Sequence, residues 1–178
     1  IEWQAADWTG AAGTGGDLVS AAALDLTAAT SITLALKEES LANFTDSPAT
    51  FTVLQSATAV TGFDAGKFLI DASAFPQAPG HWAARLNGND LVLDYTPLTP
   101  FETWQLVEFG PDAGNPLIAG DLADPDGDGS SNLLEYALAT DPNLPCTTTI
   151  TRDTVNVSGT DYLRLTVLKN PAATDLTY

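Results

Sequence analysis

The stretch that sets the fold of the middle of this chain reads Asp-Pro-Asp-Gly-Asp-Gly-Ser-Ser-Asn-Leu-Leu-Glu, residues 124–135. Oxygen-bearing side chains occupy loop positions 1, 3, 5, 9 and 12, and a glycine occupies position 6, which is the pattern of a calcium loop. Calcium takes about six to eight oxygen ligands, and Gly129 permits the sharp turn at positive φ that brings them together. The predicted ligands are the side chains of Asp124, Asp126, Asp128, Asn132 and Glu135 and the backbone carbonyl of Ser130.

A solvated acidic turn is the alternative interpretation, because Asp and Gly are common turn residues. However, Asp124, Asp126 and Asp128 crowd three negative charges into five residues, and these charges repel one another without a cation. Asn132 and Glu135 are also spaced correctly, which a simple turn does not require. The pattern therefore favours a bound calcium ion.

The composition excludes several classes of partner. The 178 residues include 23 acidic and six basic ones, which gives a formal net charge of −17. Nucleic acids and anionic membranes attract basic proteins, so neither is an expected partner. No apolar run is long enough to cross a membrane, so no membrane insertion is expected. The chain begins with Ile1 and contains no Met, which indicates a processed or excerpted piece of a longer precursor.

Residues 1–98 are predicted to form a β-rich domain, either a β-sandwich or the end of a β-solenoid. Apolar residues alternate along residues 32–36 and 91–95, as they do in half-buried strands. Trp82 shares a face with Ala84 and Leu86, and Asn87-Gly88 is a hairpin signal between this strand and the next. Glycines predict loops at residues 10–16 and 62–66.

Residues 99–145 are predicted to form a helix–calcium loop–helix unit. Thr99, Pro100 and Glu102 are the N-cap, first-turn proline and third-position acid of a helix start, and Gly110 ends the helix. Spacing predicts an apolar stripe of Phe101, Trp104 and Val107 on the first helix. It predicts a stripe of Leu133, Leu134, Ala137 and Leu138 on the second.

Residues 146–178 are predicted to form a partial β-sheet segment. One strand is expected within residues 147–157, a turn at 158–161, and a second strand at 162–168. Two or three strands do not make an independently stable sheet. The segment therefore packs on the earlier sheet, begins a further domain, or pairs through its open edge with another molecule.

The region from Asp121 to Pro142 resembles the calcium repeats of dockerins and of thrombospondin type 3 modules. The residues that carry this resemblance are Asp-Pro-Asp-Gly-Asp-Gly at 124–129, Asn-Leu-Leu-Glu-Tyr at 132–136 and Asp-Pro at 141–142. With Phe-Thr-Val-Leu at 51–54, Thr-Gly-Phe at 61–63, Trp82 and residues 87–95, the chain is similar to the C-terminal region of secreted bacterial autotransporter-associated β-strand repeat proteins. The resemblance implies a surface-exposed, non-catalytic role, with the six calcium ligands above and Asp141 as a candidate seventh. A single loop, where dockerins have two, argues against docking to cohesins.

The sequence bears on three classes of function: a structural module, a carbohydrate-binding module and an enzyme. A calcium-stabilised extracellular or cell-surface module, structural or adhesive and able to self-associate through exposed β-edges, fits the calcium loop and the acidic β composition best. A carbohydrate-binding module is the alternative, with Trp3 and Trp8 as the free stacking platforms, since Trp82 and Trp104 are expected in the core.

An enzyme is not expected. His81 is the only histidine and Cys146 the only cysteine, so a catalytic triad has a single candidate base. Cys146 cannot form an internal disulfide. It is expected to be a buried thiol, with an intermolecular bridge as the alternative.

Overall fold

The structure, a computed structural model, describes residues 2–8, 15–42, 44–75, 79–146 and 150–178. The fold is mainly β, with 37% of the residues in strands and 15% in helices, which confirms the prediction of a mainly β chain. The chain divides into two compact units, residues 1–97 and 98–178. The second unit contains both the predicted helical segment and the predicted C-terminal strands. Most of the predicted loop at 10–16 and the first residues of the strand predicted from Thr147 lie outside the described residues.

In the described part of the first unit, seven strands form two sheets. They are β1 (Glu2–Asp7), β2 (Val19–Ala21), β3 (Ile32–Ala42), β4 (Ala49–Ser56), β5 (Phe68–Asp71), β6 (His81–Asn87) and β7 (Asp90–Thr96). One sheet has the order β1-β3-β5 and is parallel throughout. The other has the order β2-β4-β7-β6, in which β2 and β4 are parallel and the remaining pairs antiparallel.

The chain alternates between these two sheets from β1 to β5. Parallel neighbours cannot be joined by a tight turn and need a crossover connection. Here the crossover from β1 to β3 runs through β2, and that from β3 to β5 runs through β4, each a strand of the opposite sheet. Side chains of both sheets contribute to one hydrophobic core. The sequence pattern does not predict this parallel coiling, because it shows which residues are strands but not which strands pair.

The hairpin of β6 and β7 confirms the turn signal at residues 87–88. Asn87 pairs with Asp90, so the two turn residues are Gly88 and Asn89, one position later than predicted. Gly88 has a φ of 63°, a conformation that costs glycine little because it has no Cβ. Trp82 packs against Tyr95 with ring centroids 4.7 Å apart, in the core region as expected.

Trp3 and Trp8 are core residues, so the prediction that they are free stacking platforms is wrong. Only 4% of Trp3 and 8% of Trp8 is exposed. The ring of Trp8 stacks on Phe75 at a centroid distance of 4.7 Å, and the indole N–H of Trp3 donates to the carbonyl of Asp17. The reason is strand alternation: Trp3 lies on the inward-facing side of β1, between exposed Glu2 and Gln4.

The second unit begins with helix α1 (Pro100–Phe109), whose start is as predicted. The Thr99 hydroxyl accepts from the Glu102 N–H and the Glu102 carboxylate accepts from the Thr99 N–H, at 3.1 and 2.8 Å. This reciprocal capping box, with Gly110 at the C-cap, confirms both predicted ends. The predicted stripe is wrong at Val107, which is 75% exposed. Phe109 is buried instead and contacts Trp104 edge-on.

Helix α2 (Asn132–Leu138) buries Leu138 of the predicted stripe and half-buries Leu133 and Ala137. Leu134 is 44% exposed, so its assignment to the buried stripe is wrong. The buried side chains are Asn132, Glu135, Tyr136 and Leu138. Tyr136 packs against Phe101 and Trp104 of α1, with centroid distances of 5.1 and 5.5 Å. An aromatic contact that the pattern does not predict therefore joins α2 to α1.

The chain ends in a hairpin and a tail. Strands β8 (Ile150–Val157) and β9 (Thr160–Val167) pair antiparallel, and Ser158 and Gly159, both at positive φ, form the predicted turn. Nearly all side chains of this two-stranded sheet are exposed. The tail then returns to α2: the Asn170 amide donates to the Tyr136 carbonyl, and the Tyr178 hydroxyl donates to the Ala137 carbonyl. These bonds go to carbonyls in the last turn of α2, where helical carbonyls run out of partners along the chain.

Candidate metal centre

The predicted calcium loop is closed by backbone hydrogen bonds between its two ends. The N–H groups of Asn132 and Leu133 donate to the carbonyls of Ala123 and Asp121, at 2.9 and 3.0 Å. Gly129 has a φ of 94°, as position 6 requires, and Gly127 also has a positive φ. The first turn of α2 is thus fixed beside the beginning of the loop, which brings side chains from both ends together.

The three loop aspartates accept hydrogen bonds from the backbone of the loop and so shape it. Asp124 accepts from the N–H groups of Gly127 and Gly129, at 2.9 and 3.0 Å. Asp126 accepts from Asp128 N–H at 3.1 Å, and Asp128 accepts from Ser130 N–H at 2.7 Å. One carboxylate oxygen from each aspartate lies within 4.8 Å of the others. The loop backbone therefore holds three like charges close together.

Helix α2 adds two buried polar side chains, Asn132 and Glu135, both with 0% of their surface exposed. The Asn132 amide donates to the carbonyls of Ile118 and Gly120, both at 2.8 Å, which fixes its orientation and leaves its oxygen as an acceptor. Glu135 accepts from the Thr140 hydroxyl through Oε1 at 3.2 Å. The second oxygen of Glu135 has no such partner.

Three buried side-chain oxygens in the described residues lack a hydrogen-bond partner: Asp126 Oδ2, Asn132 Oδ1 and Glu135 Oε2. All three belong to the predicted ligand set, and all three can only accept when the carboxylates are ionised. Buried polar atoms are nearly always paired, because an unpaired one costs about 1–3 kcal/mol. Oxygen acceptors of this kind are the ligands that calcium takes, so the residues present fit calcium.

The electrostatics of the site are those of crowded carboxylates. The pKa of Glu135 is raised to about 7, chiefly by burial; the bond from Thr140 opposes the rise, and the charges of Asp126, Asp128 and Asp124 add to it. Burial and the neighbouring aspartates also raise the pKa of Asp126. In contrast, backbone N–H groups of Cys146 and Ser130 lower the pKa of Asp128 to about 2. A bound cation would favour the ionised form of Glu135 and so lower its pKa.

Two contacts of the site are not evident from the sequence pattern. Thr140 follows α2 and donates to Glu135, and Cys146 N–H donates to Asp128 Oδ2 at 2.7 Å from 18 residues away. Asp141, the candidate seventh ligand, instead accepts from Asn143 N–H at 2.9 Å and is in neither acidic cluster of the described residues. Ser130 lies in the loop at its expected position, and its role through the carbonyl stays a prediction.

Comparisons with models of protein families, with curated proteins and with solved structures found no match to this chain. Within the described ranges, no helix has both the length and the apolar character needed to cross a membrane. His81 lies exposed at the start of β6 and is in neither acidic cluster. With Trp3 and Trp8 buried, the stacking platforms on which the carbohydrate-binding prediction rested are absent from the described surface.

Proposed function

We propose that this protein is a non-catalytic structural module of an extracellular or cell-surface protein, stabilised by calcium at the loop of residues 124–135. The observation that carries the proposal is the set of three buried, unpartnered oxygens, on Asp126, Asn132 and Glu135. Outside cells calcium is abundant enough to keep a site of modest affinity occupied. The ion would tie the loop to α2 and so stabilise the packing of α2 on α1.

The charge distribution supports the same conclusion. Residues 98–149 contain nine acidic residues and no lysine or arginine. Self-repulsion of this kind destabilises a compact state, and the segment has no basic side chain of its own to offset it. A divalent cation bound among the aspartates supplies the missing positive charge.

The arrangement of the first unit supports a structural role. Alternation of β1 to β5 between two sheets is the path of a coiled β-structure, and the antiparallel hairpin of β6 and β7 follows it. We therefore place residues 1–97 at the end of a β-solenoid rather than in a Greek-key β-sandwich. Such coils stack end to end, which suits an elongated surface protein or fibre.

The proposal predicts that calcium raises the melting temperature relative to the protein in EDTA. A ligand present at a hundredfold excess over its Kd stabilises the folded state by about 2.7 kcal/mol. Replacing Asp124 by Asn should abolish most of this shift, because loop position 1 requires a carboxylate. The measurement is a thermal melt followed by far-ultraviolet circular dichroism, with and without calcium.

Asp141→Asn is the matched control for this experiment. It removes the same charge from the same unit, and Asn can still accept from the Asn143 N–H. Because Asp141 is in neither acidic cluster, this variant should keep the full calcium shift. Equal melting temperatures of the unmodified protein in calcium and in EDTA would refute the proposal.

The hairpin of β8 and β9 supports the finer proposal that copies of the module associate. Cross-strand pairing places Ile150, Leu163, Leu165 and Val167 on one face, and each is at least 42% exposed. Residues 150–178 carry equal numbers of acidic and basic residues, unlike the purely acidic segment before them. We propose that this face packs against a second copy, with Arg152 on the same face meeting the partner's acidic segment.

Two substitutions on opposite faces of β9 test this association. Leu165→Lys places a charge on the aliphatic face and should keep the protein monomeric, whereas Thr166→Lys on the other face should leave association unchanged. The measurement is light scattering coupled to gel filtration over a range of protein concentrations, with calcium present. If the unmodified protein stays monomeric at every protein concentration, the proposed association of copies is contradicted.

A further inference from the structure

The thiol of Cys146 lies beside the calcium loop. Its Sγ and one carboxylate oxygen each of Asp128 and Glu135 are all within 4.8 Å of one another. The position is fixed by the backbone, since Cys146 N–H donates to Asp128 Oδ2 at 2.7 Å. The thiol is half-buried and forms no disulfide. Sulfur is thus held next to two of the carboxylates already assigned to the calcium site.

Glu135 provides a second and independent indication of a ligand at this position. Its side chain is 0% exposed, and Oε2 has no hydrogen-bond partner. The other oxygen is already occupied by the Thr140 hydroxyl. A buried carboxylate that has one unpartnered oxygen, and that lies close to a thiol and to a second carboxylate, calls for a cation that accepts both kinds of ligand.

The combination of one thiol with two carboxylates determines which cations can bind at this position. Calcium is a hard cation and binds oxygen, so it gains little from a sulfur ligand. Zinc and cadmium bind thiolate sulfur readily and also accept carboxylate oxygen. We infer that Asp128, Glu135 and Cys146 form a site for a thiophilic divalent cation of the zinc class, with a fourth position open to water. On binding, the thiol proton passes to solvent and the sulfur coordinates as thiolate.

The two cations exclude each other because they share Asp128 and Glu135. The inference rests on the proposed function to this extent, since the shared residues are proposed calcium ligands. It adds a consequence of its own: the same loop responds to two metals, and Cys146 distinguishes them. Abundant calcium would hold the oxygen-rich site, and a thiophilic cation would displace it only where its affinity is higher.

Cadmium is the probe that tests the inference, because its bond to thiolate gives a charge-transfer band in the ultraviolet. Titration of the reduced protein should produce a band that saturates at one cadmium per chain and weakens as calcium is added. Cys146→Ser should show no band and should retain the calcium-induced rise in melting temperature. Glu135→Gln should weaken cadmium binding by about tenfold or more, because it removes a ligand charge.

The outcomes separate this inference from the proposed function. A calcium shift without a cadmium band would overturn the inference and leave the calcium site intact. A cadmium band whose affinity is the same in Glu135→Gln would also overturn it, since the thiol alone would then account for binding. A cadmium band weakened by Glu135→Gln, in a protein that calcium does not stabilise, would support the thiol site and refute the calcium proposal.

Discussion

Glu135→Gln is expected to stabilise the calcium-free protein at pH 8 by about 3 kcal/mol while removing its response to calcium. The pKa of Glu135 is raised from an ordinary 4.5 to about 7, chiefly by burial. Each pKa unit corresponds to about 1.4 kcal/mol, so ionising this buried side chain at pH 8 costs the folded state about 3 kcal/mol. Glutamine has the same shape and no charge to bury. Its Oε1 can still accept from the Thr140 hydroxyl.

The raised pKa of Glu135 also determines how the free energy of unfolding changes with pH in EDTA. The folded state holds a proton on Glu135 up to about pH 7, whereas the unfolded chain releases it near its ordinary value of 4.5. The contribution of Glu135 to the free energy of unfolding is therefore fully present below about pH 4.5 and is lost as the pH rises through 7. Urea unfolding at several values between pH 5 and pH 8 should show the unmodified protein weakening and Glu135→Gln nearly constant.

Calcium should reverse this pH dependence, because the ion requires the ionised carboxylate and acid displaces it. Measurements in EDTA are therefore needed to isolate Glu135. Below about pH 4 the lowered pKa of Asp128 acts in the opposite direction and destabilises the protein as the pH falls. Stability in EDTA that rises from pH 5 to pH 8 would contradict the assignment of Glu135 as a buried, unsatisfied acid.

Tyr136→Ala is expected to have the other large effect, a loss of about 3–5 kcal/mol of folding free energy in the second unit. The ring is 1% exposed and contacts Phe101 and Trp104 of α1. Its hydroxyl also donates to Asp175 at 2.7 Å, and the second oxygen of Asp175 accepts from the Phe101 N–H. Removing the ring leaves a cavity between α1 and α2 and frees the tail. Calcium affinity should fall as well, because folding of α2 positions Glu135.

Two further substitutions calibrate this prediction. Tyr136→Phe keeps the ring and loses only the hydrogen bond to Asp175, so the expected cost is about 1 kcal/mol. Leu134→Ala changes an exposed position of the same helix and should cost about 0.5 kcal/mol or less. The comparison is made by urea unfolding with calcium present. A cost of Tyr136→Ala no larger than that of Leu134→Ala would show that the aromatic contact does not hold the two helices.

The sequence predicted those parts of the second unit that depend on neighbouring residues. The capping box of Thr99 and Glu102, the positive φ of Gly129 and the turn that begins at Ser158 are determined within a few residues of the chain, and all are present. The inward faces of the helices were harder to predict. Leu134 follows the apolar period but is exposed, because burial of Asn132 and Glu135 turns a polar face of α2 inward.

Contacts between distant residues could not be predicted from the pattern. The pairing of β1 with β3 and of β3 with β5 depends on which strands meet, and alternation alone is the same for any pairing. The alternation of Glu2, Trp3, Gln4 and Ala5 does indicate an inward Trp3, so the burial of Trp3 could have been predicted from the sequence. The approach of Cys146 to Asp128 had no local signal, because the two residues are 18 positions apart.

The hydrogen bond from Cys146 to Asp128 also determines how this part of the chain would carry tension. It joins two points on either side of α2, so the helix lies within a closed loop. A pull along the backbone from the first unit toward β8 would load this bond, together with the cation that we propose beside it, before the helix is stretched. If the module belongs to a fibre, the metal centre is then the element that bears mechanical force, and α2 and its aromatic contacts are shielded from it.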